Sequence, residues 1–261
     1  MKRLLIAGLA LALLIPVCAL AQSALNGTWV VQLGSAKGFG KPVVIHLKDG
    51  MYECNCVPPI KVKADGQDHA VTGNPGFDTV AVKVLDDHSI QEVEKKDGKT
   101  VSSLTVTAAA DGKTATYEFT DNSGTSPVTG KAVVERVAKA PPGSNAVAGS
   151  WKFGHWESMS DNGRTFTYKV DGKQVSYSDP TGYSYTAEIG GKAVPYTGGG
   201  MSGMTVSVKM DGKDGIKETF MHDGKVTRTS TMTVSADGKT LKTVDHNVRA
   251  GRTMTLLADK Q

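Results

Sequence analysis

Four landmarks of this chain occur twice, in the same order. Gly27-Thr28-Trp29 returns as Gly149-Ser150-Trp151, 122 residues on, and the pair Gly66 and Gly73 returns as Gly191 and Gly198, 125 residues on. Asp97-Gly98-Lys99 returns as Asp223-Gly224-Lys225, and Ala110-Asp111-Gly112-Lys113-Thr114 as Ala236-Asp237-Gly238-Lys239-Thr240, each 126 residues on. Offsets that drift so little point to a tandem duplication of a unit of about 115 residues, too long for a solenoid repeat and long enough for a whole domain. Between the copies lies Lys139-Ala140-Pro141-Pro142-Gly143-Ser144-Asn145-Ala146, whose prolines and Gly-Ser pair read as a short, semi-rigid linker. The expected organisation is therefore one domain over residues 22–138, a linker over 139–148 and a second domain over 149–261.

Within each copy the hydrophobic period is two. Val80, Val82 and Val84 alternate with Thr79, Ala81 and Lys83; Met204, Val206, Val208 and Met210 alternate with Thr205, Ser207 and Lys209; Phe166, Tyr168 and Val170 alternate with Thr165, Thr167 and Lys169. Successive side chains of a strand point to opposite faces, so each segment has one apolar and one polar face. Asp-Gly dipeptides punctuate the segments at Asp49-Gly50, Asp97-Gly98, Asp111-Gly112, Asp171-Gly172, Asp211-Gly212, Asp223-Gly224 and Asp237-Gly238. Asp-Gly suits tight hairpins because both positions tolerate positive φ. Each copy then reads as a meander of roughly eight to ten short strands, and closing such a meander removes its exposed edges. The expected class is all-β, with two tandem antiparallel up-and-down barrels; a two-layer sandwich is the alternative. Connections this short exclude parallel crossovers.

The first residues read as an address. Lys2 and Arg3 precede an almost unbroken apolar run from Leu4 to Val17, and Ala19-Leu20-Ala21 matches a small-x-small cleavage site with Gln22 as the new N-terminus. The run is too short for a comfortable membrane span. The expectation is a signal peptide over residues 1–21 on an exported, periplasmic or secreted, bacterial protein with no transmembrane segment after cleavage. Acylation at Cys18 is the alternative, disfavoured by the bulky Val17. The formal net charge of +4 includes Lys2 and Arg3, which leaves +2 on the remainder, and aromatic residues make up only 6%. That excludes binding to nucleic acid by bulk positive charge, and three cysteines exclude a disulfide-dense mini-fold.

The Gly-x-Trp that opens each copy, followed by a meander, is similar to the start of lipocalin-like (calycin) barrels, and the chain resembles exported bacterial lipocalin-like proteins over nearly all of residues 25–261. The resemblance implies that Trp29 and Trp151, each after its glycine (Gly27, Gly149), pack at the closed end of a barrel beneath a basic residue of the last strand. Arg136, in Ala132-Val133-Val134-Glu135-Arg136-Val137, takes that place in the first copy, and Arg252 is the looser match in the second. Each copy is shorter than a typical lipocalin and shows neither a C-terminal helix nor a helical lid, which counts against a large, lidded lipid cavity.

After signal cleavage two cysteines remain, Cys54 and Cys56. They stand two residues apart on a strand, near the upper limit for a bridge, so a disulfide needs a local kink, for which Pro58-Pro59 just beyond is a cue. Free thiols, an intermolecular bridge, and metal or redox work are the alternatives; a metal would need two further ligands. No histidine forms a ligand-spaced pair, the acidic residues mostly occupy turns, and no nucleophile elbow, phosphate loop or dinucleotide fingerprint is present. No metal, cofactor or enzymatic activity is expected. Tyr177, Tyr183, Tyr185 and Tyr196 cluster after Trp156 and could line a barrel mouth for an apolar or amphipathic ligand, with Met201-Ser202-Gly203-Met204 as a flap; packing of the second core explains the same rings. Two functions follow as expectations: a binding module that holds a small apolar molecule, mainly in the second barrel, or a structural and interaction protein with filled barrels and a protein partner that the sequence does not identify.

Overall fold

The computed structural model describes residues 24–198, 203–212 and 215–261. The expected signal peptide, with Cys18, lies outside the described residues, as do Met201 and Ser202 of the expected flap. No helix among the described residues is long and apolar enough to cross a membrane.

Twenty strands follow along the described residues: β1 (Gly27–Val31), β2 (Val43–Lys48), β3 (Met51–Cys54), β4 (Ile60–Lys63), β5 (His69–Ala70), β6 (Thr79–Asp86), β7 (Ser89–Lys96), β8 (Lys99–Ala108), β9 (Thr114–Asp121), β10 (Val128–Lys139), β11 (Gly149–Met159), β12 (Thr165–Asp171), β13 (Gln174–Ser178), β14 (Ser184–Glu188), β15 (Val194–Pro195), β16 (Met204–Met210), β17 (Gly215–His222), β18 (Lys225–Val234), β19 (Thr240–Asn247) and β20 (Arg252–Lys260). They form two ten-stranded antiparallel sheets, each curled into a nearly closed barrel. The described residues also include a 3-10 turn at Leu33–Ser35 and one helical turn, α1 (Asp161–Arg164). Each barrel is brought toward closure by a glycine at positive φ: Gly66 N donates to Val82 O and Gly190 N to Val208 O, both at 2.8 Å. The structural counterpart of Gly66 is thus Gly190, one residue before the glycine that sequence spacing selects.

The barrels are not the two sequence copies. The first sheet runs β4-β3-β2-β11-β10-β9-β8-β7-β6-β5, and the second runs β14-β13-β12-β1-β20-β19-β18-β17-β16-β15. The opening strand of each copy has been exchanged. β1 lies between β12 and β20, pairing Gly27 with Tyr168 and Trp29 with Lys260. β11 lies between β2 and β10, pairing Gly149 with Ile45 and Trp151 with Arg136. Residues 22–138 and 149–261 are therefore units of sequence but not of hydrogen bonding: each lacks its own closing strand and supplies the other's. This is the geometry of a domain swap carried out inside one chain. The cores remain separate. One gathers Ile45, Ile60, Val80, Val82, Ile90, Val106 and Trp151, and the other Trp29, Tyr168, Val206, Val208, Phe220 and Leu241.

The Asp-Gly phrase makes two kinds of turn. Asp49, Asp97 and Asp223 take positive φ (52°, 49° and 49°) before glycines that do the same, the pattern of a tight primed hairpin. At Asp111-Gly112 and Asp237-Gly238 only the glycine is left-handed. There the glycine N–H closes a turn onto Ala109 O (2.8 Å) or Ser235 O (2.9 Å), and the Asp carboxylate accepts from the following Lys N–H. The dipeptide alone does not set the turn type, because an aspartate can stabilise a turn with its side chain as well as by adopting positive φ.

Candidate functional site

The closed ends are equivalent. Trp29 Nε1 donates to Leu25 O at 2.9 Å and Trp151 Nε1 to Val147 O at 2.8 Å, and both indoles are fully buried. Arg136 lies over an indole, with its guanidinium carbon 4.0 Å from the ring centroid, and that indole is Trp151 of the other sequence copy. It also donates to Ala148 O at 2.7 Å and to Ala146 O, just before the exchanged strand, and to Gly112 O in the turn before β9. The cation over Trp29 is Lys260, 5.2 Å from the ring centroid and bonded to Ala24 O at 3.0 Å. Arg252 does not occupy this place. It begins β20, whereas the residue opposite Trp29 is near that strand's end, so its side chain lies at the opposite rim, beside Gly40.

Two interiors of unequal size result. A cavity of about 520 Å³ occupies the first barrel, and one of about 340 Å³ the second. The sheet registers set different residues at matching places. Ile45 pairs with Gly149 as Tyr168 pairs with Gly27; Cys54 faces Ile45 as Tyr177 faces Tyr168; Ile60 faces Cys54 as Tyr185 faces Tyr177. The three tyrosines line the second cavity, whereas the two isoleucines and the half-cystine at the same places are buried in the first core and do not line the first cavity. Cys54 and Cys56 form a disulfide with Cα atoms 5.1 Å apart, closer than along an extended strand because β3 ends at Cys54.

Each interior holds one deeply buried glutamate at the same place. Glu92 pairs with Val82 and Glu218 with Val208, and the two glutamates are 126 residues apart. Tyr52 donates to Glu92 at 3.0 Å. Tyr168 donates to Glu218 at 2.7 Å, and Tyr185 donates to the same oxygen. Burial raises both carboxyls above the usual carboxylate range, against the lowering effect of the tyrosine hydrogen bonds. Sequence reasoning missed this pair, although a signal exists: each follows by two residues an isoleucine of the core face, Ile90 or Ile216, in strands of the repeated unit.

The five candidate ligand residues separate. Trp156, on exchanged β11, and Tyr183, before β14, line the first cavity, whereas Tyr177, Tyr185 and Tyr196 line the second. Tyr183 and Tyr185 therefore do not share one site. Tyr183 reaches the first barrel because the loop after β9 meets the loop before β14: Thr125 N donates to Thr181 O at 2.8 Å, and the Ser123 and Tyr183 hydroxyls are 3.2 Å apart. Tyr196 stacks on Tyr183 (centroids 5.5 Å apart) and also borders a space of about 740 Å³ where the barrels meet.

The wall of the first cavity is aromatic. Phe39 stacks on Phe153 with centroids 3.5 Å apart, and Trp156 contacts Phe153 and Phe119 at 5.3 and 5.8 Å. Polar groups interrupt it at Glu94, Ser102, Tyr117 and Asp121. The Tyr117 hydroxyl is shielded from solvent and has no hydrogen-bond partner. Burial first, then the charges of Glu92 and Asp121, push the Glu94 carboxyl up to about 7, against a hydrogen bond from Ser102. The folded chain thus holds a proton that the unfolded chain releases near 4.5, so stability is highest below that value and falls as pH rises toward 7. Glu94→Gln is expected to flatten this part of the profile, as read from urea midpoints between about pH 4 and about pH 8.

The fold and site define an all-β protein of two tandem, nearly closed barrels with a tryptophan under a cation at each closed end. Compared with models of protein families and with curated proteins, the chain gives no match.

Proposed function

We propose that this is an exported, non-catalytic, lipocalin-like protein that binds a small apolar or amphipathic molecule inside its first barrel. The observation that carries the reading is the cavity of about 520 Å³, within the range of small-molecule sites, walled by aromatic rings and set with a few polar groups. The Gly-x-Trp strand beneath a cation in each barrel supports the lipocalin-like assignment. The Lys2-Arg3 start, the apolar run to Val17 and the Ala19-Leu20-Ala21 site support export, and the Cys54–Cys56 disulfide fits an oxidising compartment. The second barrel is the weaker candidate, because its cavity is smaller, about 340 Å³, and Tyr168 and Tyr185 already donate to Glu218 within it.

A neutral aromatic probe, phenylnaphthylamine, is expected to bind at one site per chain with enhanced fluorescence. Ala132→Phe places a ring in the first cavity and should weaken that binding at least ~10-fold while the circular dichroism spectrum persists. Probe binding unaffected by Ala132→Phe would remove the first cavity as the site, and no saturable binding would refute the reading.

A further inference from the structure

We infer that the first cavity selects a ligand carrying a protonated amine, seated with its nitrogen toward Glu94 and its apolar body against the aromatic wall. The inference rests on the cavity being a binding site, as proposed above. Below the rim, the charged side chains of the lining are carboxylates: Glu94 on β7 and Asp121 on β9, with Glu92 two residues deeper than Glu94. Apart from Asp121, the polar groups contributed by other strands are neutral, namely Ser102 from β8, Tyr117 from β9, and Tyr52 from β3, which donates to Glu92. The two cations of the lining, Lys41 and Arg252, are exposed at the rim.

Tyr117 gives a second, independent indication of a ligand. Its solvent-shielded, unpartnered hydroxyl can accept a hydrogen bond that the protein does not supply. An ammonium offers three donors and no acceptor, which matches a carboxylate and a free hydroxyl oxygen together. The faces of Trp156, Phe119 and Phe153 favour a cation and also an alkyl or aryl body. A carboxylate ligand would meet Glu94 and Asp121 with like charge, and an alcohol would leave Glu94 without a counter-ion. Burial and the neighbouring Glu92 raise the Glu94 carboxyl, and a bound ammonium would lower it.

The test is titration calorimetry of the full chain with octylamine, octanol and octanoate, which share a tail and differ in the head. At about pH 8 octylamine should bind at least ~10-fold tighter than octanol, and octanoate weakest. That preference should collapse in the isosteric Glu94→Gln, and should shrink for the unsubstituted protein at about pH 5.5, where Glu94 is protonated but the amine remains charged. Equal binding of amine and alcohol would overturn the head-group inference and leave the binding site standing. A preference that survives Glu94→Gln would overturn the role of Glu94. Failure of all three to bind, with phenylnaphthylamine also silent, would overturn the cavity reading itself.

Discussion

Trp29→Ala is expected to destabilise the second barrel, not the first, by about 3–5 kcal/mol. Trp29 belongs to the first sequence copy, but its ring is sealed in the second core beneath Lys260. Loss of the indole opens a large cavity there and leaves Leu25 O without its donor. Trp151→Ala should act in the reverse sense, on the barrel built from β2 to β11. Native-state hydrogen exchange read by mass spectrometry distinguishes the cases, since local opening reports its own region first. Trp29→Ala should release protection in β12 to β20 while β2 to β10 stay protected. Protection lost first in β2 to β10 would mean that β1 closes its own copy's barrel and that the exchange does not occur in solution.

Glu218→Ala is expected to cost about 2–5 kcal/mol, because it leaves the Tyr168 and Tyr185 hydroxyls buried without an acceptor. Glu218→Gln keeps an acceptor oxygen at the same place and should cost much less. Denaturant midpoints of the two variants check this. If alanine and glutamine were equally mild, the hydroxyls would be finding water, and the second interior would be wetter than its hydrogen bonds imply. Glu92→Ala should be the milder deletion, since it orphans the single hydroxyl of Tyr52. The same buried acid therefore carries different loads in the two barrels.

Much of the architecture was legible. The alternation that carries Val80 and Val82 fixes a core face whatever the tertiary setting, because a one-residue slip would turn both outward, although Val84, further along the same strand, is exposed. The Asp-Gly phrases marked hairpins, and each Gly-x-Trp strand carries a buried indole beneath a cation. The site was legible only in pieces. Trp156 and Tyr183 were singled out, but in a site of the second copy with Tyr185, whereas they meet across the barrel junction in the first cavity. Phe39, Phe119 and Phe153 are far apart in sequence and carry no motif, so nothing local marks them as one wall. Arg252 was the looser match for Arg136, but it begins β20 whereas Arg136 lies near the end of β10, and only the pairing register shows that Lys260 reaches the indole.

The sequence by itself determined the strand period, the turns, the duplication and the repeated core positions, because these follow from steric and hydrophobic rules acting over a few residues. The tertiary structure alone decided which barrel each tryptophan strand closes. Gly27-Thr28-Trp29 and Gly149-Ser150-Trp151 present the same glycine, indole and edge to any partner, so local chemistry cannot discriminate between the two sites. The choice lies in the connections 32–42 and 160–164, which pass from one sheet to the other. The first cavity was likewise set in space, because residues as distant in sequence as Phe39, Trp156 and Tyr183 come together to line it only in the folded chain.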